Sequence, residues 1–335
     1  MEEQTIDSRN MSVLIHALDI FPFPESFQFD ASSVDFSMEK ARFFLVCSRL
    51  VYESPEFIRN FLQSPGWQFD VENEFRFISC RHTDLFLMKR GSDVFLTFRG
   101  TETENFWDWR IDADVTQCVD RVLGENGGQV HCGFSEALNT VWDDLQKVLS
   151  DWKVGESSKI WITGHSLGAA IAELAGARLS LTLPENSIRS LYTFGKPKVG
   201  DARFSEFVDG KLAGRAFFIA NNRDIVPRIP PEKWGYAPSG KLWLINESHK
   251  IEPAHVWVPE IPDFIAGQLK LTVNLFRSSQ METLAKFLDK YHATKIWTGI
   301  GMALEKIPPE FLEKFKMLIP PPVLDHFPSE YLKAF

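Results

Sequence analysis

The chain has 335 residues with a formal net charge of −9 and an isoelectric point near 5.5, which argues against nucleic acid and against anionic membrane surfaces as partners. Hydrophobic residues make up 44%, enough for the core of one large α/β domain or two small ones and too many for extended disorder. Neutral and apolar substrates are not disfavoured, and 29 Phe with 10 Trp leave aromatics that could line an apolar pocket.

Residues 1–35 are expected to be an extended leader, with Phe21-Pro22-Phe23-Pro24 as its clearest stretch. The acidic start has neither the basic region nor the apolar run of a secretory signal, and no spanning segment is visible, so the expectation is a soluble cytoplasmic protein. Residues 36–300 are expected to form the domain. Helical spacing of Ala41, Phe44, Leu45, Leu50, Phe57 and Phe61 predicts a helix over 37–62. Strands are expected at 75–79, 84–88 and 94–98. Phe134, Leu138, Val141, Leu145, Leu149 and Trp152 then mark an amphipathic helix over 133–152. Further strands are expected at 159–163, 188–194 and 215–220, with a helix after the first. Strands alternating with helices imply a mainly parallel central sheet covered by helices on both faces. Residues 301–335 are expected to be a C-terminal extension packed on the domain or meeting a partner. Cys47, Cys80, Cys118 and Cys132 lack metal-ligand spacing; free thiols are expected, and one or two disulfides are compatible with the pattern.

Gly164-His165-Ser166-Leu167-Gly168 is a G-x-S-x-G motif between an apolar strand and an Ala-rich helix. That context predicts a nucleophile elbow, with Ser166 exposed at a strained turn and Gly164, His165 and Gly168 shaping it. The bland reading is a small-residue turn in which Ser166 only caps a helix. A serine nucleophile needs a base oriented by a carboxylate, in the chain order Ser, acid, His for such a sheet. Asp224, after the predicted strand 215–220, is the candidate acid; as a residue it could equally be a solvated loop aspartate. His249, His255 and His292 follow, and position alone does not choose among them.

Six segments in order then carry a resemblance: Phe98-Arg99-Gly100-Thr101, His131-Cys132-Gly133-Phe134, the elbow, Thr193-Phe194-Gly195-Lys196-Pro197, Gly200-Asp201, and Asp224-Ile225-Val226-Pro227. Over roughly residues 38–300 the chain resembles the class 3, fungal-type triacylglycerol lipases of the α/β-hydrolase fold. The resemblance implies Ser166 as nucleophile, Asp224 as acid and His292 as base, with His255 as the alternative base and Trp297 as the aromatic that follows the histidine. It implies an oxyanion hole made by Thr101 and the backbone N–H of Leu167, and a structural role for Asp201. It places a lid between the two segments that flank Phe106, Trp107 and Trp109; an ordinary loop with packed aromatics is the other reading. No metal and no cofactor are required.

The implied activity is a serine carboxylester hydrolase, a lipase cleaving acylglycerols through an acyl-enzyme. A soluble short-chain esterase, a phospholipase or an acyltransferase would use the same residues. A catalytically idle lipase-like scaffold is the alternative of another class. An ester or acylglycerol substrate and a transient lipid contact through the lid are the expected partners.

Overall fold

The computed structural model describes residues 21–81, 83–100, 116–254 and 324–335. Eight strands form one sheet: β1 (Phe75–Cys80), β2 (Thr83–Arg90), β3 (Asp93–Phe98), β6 (Lys159–His165), β7 (Ile188–Phe194), β8 (Ala216–Asn221), β9 (Lys241–Ile245) and β10 (Ile251–Pro253), paired in that order. The strands from β3 to β9 run parallel, and antiparallel pairings attach β2 and β1 at one edge and β10 at the other. A separate hairpin joins β4 (Gln117–Val119) to β5 (Gln129–His131). The mainly parallel sheet is therefore present as the sequence predicts.

Side-chain alternation along each strand divides the core between two faces. Leu85, Leu87, Leu96, Ile160, Ile162 and Leu191 face one side. Phe86, Met88, Phe95, Trp161, Tyr192 and Phe194 face the other. Helices α3 (Cys132–Asp151), α4 (Leu167–Thr182) and α5 (Ala202–Leu212) cover the first side, where Leu138, Val141, Leu145, Leu174 and Val208 meet the strand aliphatics. Asp201 has the structural role expected of it, capping α5 by accepting from the Phe204 N–H at 2.8 Å.

On the second side α1 (Met38–Leu50) and α2 (Pro55–Gln63) replace the single helix expected over 37–62. The break lies at Ser54-Pro55, where Ser54 accepts from the Phe57 N–H and Pro55 occupies the first helical turn. Proline is tolerated there and disfavoured further inside a helix. The stretch 21–36 has no helix and packs as part of the same core. Phe29 meets Phe95 and Trp161 edge to face at 5.1 and 5.0 Å, and Phe36 stacks on Trp243 at 3.7 Å. Much of the aromatic surplus therefore covers the sheet, and position 35/36 marks no break in packing.

The last described stretch behaves likewise. Helix α6 (Pro328–Leu332) buries Tyr331 completely in this second core, so residues 324–335 pack on the domain. Among the described residues no helix is long and apolar enough to cross a membrane.

Candidate active site

The parallel strands bring β6 and α4 together at Ser166, whose backbone sits at φ 59 and ψ −129. That region disfavours any side chain and persists only where surroundings enforce it. The enforcement is visible in the flanking glycines. A Cβ on Gly164 would lie 2.4 Å from the Gly168 carbonyl oxygen, and one on Gly168 would lie 2.3 Å from the Phe98 carbonyl oxygen. Strand and helix are thus in backbone contact, and only glycine fits between them. Ser166 makes no side-chain cap to α4, and its Oγ has no hydrogen-bond partner among the described residues. The capping reading of the motif fails.

Asp224 is fully buried in the loop after β8. Its Oδ1 accepts from the Val226 N–H at 2.8 Å, so the loop's own backbone fixes the carboxylate. Its Oδ2 accepts from His326 Nδ1 at 2.7 Å and from the Tyr331 hydroxyl at 2.6 Å. A carboxylate only accepts, so the proton of that imidazole sits on Nδ1 and Nε2 becomes the basic nitrogen. Burial, together with the Asp224 charge, pushes the Tyr331 phenol well above its ordinary pKa, which keeps it a donor.

The histidine beside Asp224 is therefore His326, 102 residues further along the chain. His292 and His255, the residues expected in this role, lie outside the described residues. His249 occupies an exposed turn between β9 and β10. Sequence reasoning did not consider His326 and Tyr331, because it set residues 301–335 apart as an extension.

Several contacts seat His326 under the elbow. His165 donates from Nε2 to the His326 carbonyl at 2.7 Å, and the two imidazole rings lie 4.5 Å apart. Asn221 donates to the Asp325 carbonyl at 3.0 Å, and Arg223 pairs with the Asp325 carboxylate at 2.8 Å. The Ser166 N–H donates to the Phe194 carbonyl at 2.9 Å. The next residue, Gly195, packs so closely that an added Cβ would lie 2.9 Å from both Asp224 Oδ2 and His326 Nδ1. Elbow, acid and imidazole thus share one end of the sheet, at the C-terminal ends of β6, β7 and β8.

Leu167 opens α4, so its N–H belongs to the first turn, which helix geometry leaves without an intrahelical partner. The end of β3 abuts it: a Cβ on Gly100 would lie 3.3 Å from Leu167 Cβ. Thr101 follows Gly100 but lies outside the described residues, as do the lid candidates Phe106, Trp107 and Trp109. Among the described residues no cluster of His, Cys, Asp and Glu could hold a metal ion.

A family model described as lipase (class 3) matches residues 95–234. Over this stretch the chain is similar to the class 3 lipases. The match holds Ser166, Leu167 and Asp224 and ends before His326. Among similar proteins, a secreted mono- and diacylglycerol lipase of Malassezia restricta is 38% identical over 184 residues, 54% of this chain and 56% of that protein. A lipase of Rhizomucor miehei is 34% identical over 160 residues, 46% of this chain and 42% of its own length. The chain spans about half the length of these curated relatives.

A solved triacylglycerol lipase superposes with a TM-score of 0.52 over 68% of this chain and 89% of that one, at 24% identity. That likeness is one of fold, and the fold is the α/β-hydrolase fold. The matched relatives from Malassezia restricta and Malassezia globosa bear the word "secreted" in their names. This overturns the expectation of a cytoplasmic protein. That expectation rested on the first residues of the chain, which carry no information on export by other routes.

Proposed function

We propose that this class 3 lipase-like chain is a serine carboxylester hydrolase that cleaves acylglycerols, with Ser166 as nucleophile, His326 as base and Asp224 as the orienting acid. The observation that carries the reading is the 2.7 Å contact of His326 Nδ1 with the buried Asp224 carboxylate, packed against the strained elbow of Ser166. His326 Nε2 takes the Ser166 proton as the hydroxyl oxygen attacks the ester carbonyl. Asp224 does not take a proton; it stabilises the imidazolium and fixes its tautomer. The Leu167 N–H, at the positive end of α4, receives the developing oxyanion, with Thr101 as the second donor. The same imidazole returns its proton to the leaving alcohol. It then activates the water that cleaves the acyl-enzyme, or an acceptor alcohol in a transferase.

The names of the Malassezia relatives support mono- and diacylglycerols as substrates and release from the cell as the setting. The assay is initial hydrolysis of mono-, di- and triacylglycerol emulsions and of p-nitrophenyl esters of rising chain length. Ser166→Ala and His326→Ala are expected to lose at least ~10³-fold in kcat, with His292→Ala close to wild type. A dead His292→Ala beside an active His326→Ala would return the base to His292. An intact protein inactive on every ester would favour the idle-scaffold reading.

A further inference from the structure

Cys118 lies in β4 and Cys132 opens α3 directly after β5, and neither takes part in the proposed chemistry. In its antiparallel ladder Gln117 pairs with His131, Cys118 with Val130 and Val119 with Gln129. The Cys132 N–H donates to the Thr116 carbonyl at 2.9 Å, which continues the ladder one pair beyond β5. Residues 118 and 130 therefore share one face of the hairpin, and Cys132 lies diagonally across from Cys118 where the ladder meets α3. Both thiols are free and only partly buried, and the Cys132 thiol neighbours that of Cys118. Burial, followed by that neighbouring thiol, pushes the Cys118 thiol up to about 12.

We propose that Cys118 and Cys132 are a disulfide-forming pair, closed by exchange with small-molecule disulfides such as oxidised glutathione. The Cys132 thiolate attacks one sulfur of oxidised glutathione, whose S–S bond breaks and releases one glutathione thiolate. Cys118 then loses its proton and attacks the Cys132 sulfur of the mixed disulfide, releasing the second glutathione. The protein gives up two electrons and two protons, and one glutathione disulfide becomes two thiols. The raised Cys118 thiol makes it the weaker first nucleophile, which sets the order of attack. The closed bridge would tie β4 to the first turn of α3 and restrict the hairpin between them.

The other cysteines differ. Cys47 is fully buried in α1 and is closed to exchange. Cys80 ends β1 at the edge of the main sheet.

The test uses the full chain, fully reduced, freed of reductant and incubated with excess oxidised glutathione under mildly alkaline conditions. Thiols are then alkylated and the protein is digested with trypsin without reduction. Arg121 lies between the two cysteines, so trypsin separates their peptides unless a disulfide joins them. The expected result is loss of two of the four thiols, an intact mass two hydrogens lighter, and a Cys118–Cys132 linked peptide that dithiothreitol releases. Cys118→Ser is expected to accumulate a glutathione adduct on Cys132 in place of the bridge. Four thiols still reactive in the intact chain, or adducts on both cysteines without a linked peptide, would overturn the proposal. So would a bridge through Cys80. The peptide map of the intact chain decides even if the variant fails to fold.

Discussion

Gly195→Ala probes the site through a residue with no chemical role. The added Cβ would lie 2.8 Å from His326 Cε1 and 2.9 Å from both His326 Nδ1 and Asp224 Oδ2. Unbonded carbons rest at about 3.5–4.0 Å, so the imidazole must retreat by roughly 0.7 Å or more. The new methyl sits over the hydrogen bond itself, and retreat pulls Nδ1 and Oδ2 out of line. Displacements on the order of 1 Å at a catalytic group cost about 10²-fold in rate. Alanine must also accept φ +56, a left-handed angle that costs about 1–2 kcal/mol in stability. The expected outcome is a protein that melts somewhat lower yet folds, with kcat on a p-nitrophenyl ester down about a hundredfold and KM little changed. Parallel thermal melts separate lost folding from lost geometry. A folded Gly195→Ala protein within threefold of wild-type kcat/KM would refute the reasoning, because the His326–Asp224 contact could then not be the working one.

Two further predictions rest on buried polar contacts. Tyr331→Phe removes the hydroxyl that donates to Asp224 Oδ2 and accepts from the Asn221 N–H. Hydrogen bonds to charged groups contribute roughly 1.5–3 kcal/mol, so kcat should fall by about tenfold or more, and a change confined to KM would contradict the assignment. Asp120 is buried against Arg178 and Ser135; although burial raises its pKa, the bonds from Arg178 and Ser135 hold it below the usual 3.8. On acidification the unfolded chain takes up that proton first, so the pair's stabilisation is complete above the unfolded value and fades as pH falls through the lower folded one. Asp120→Asn leaves Arg178 buried beside a neutral group and should cost about 3–5 kcal/mol near neutrality. Urea unfolding should show the gap to wild type shrinking below about pH 4; a gap constant down to strong acid would show that the charge of Asp120 contributes nothing.

The parallel sheet and the elbow were legible because both are written locally. A buried strand, two glycines around a serine and an Ala-rich helix stand together over residues 159–179, and the Gly164 and Gly168 contacts show why no other residue would serve. Asp224 was legible for a related reason: it stands on the loop just beyond a readable strand. The histidine beside Asp224 was not, because chain order constrains a histidine only to follow the acid. The aromatic companion gave no help, since Trp297 follows His292 at the same interval at which Tyr331 follows His326. What seats His326 there is a set of long-range contacts of residues 325 and 326: His165 on the elbow and Asp224 with His326, and Asn221 at the end of β8 with the Asp325 carbonyl. Each lies more than 100 residues away along the chain, where local periodicity and spacing carry no information. The same limit explains residues 21–36, whose Phe-Pro pattern reads as a loose leader until Phe95, Trp161 and Trp243 are known to face it. Both ends of the described chain fold onto one face of the sheet, so the tail that brings His326 to Asp224 also helps to close the core.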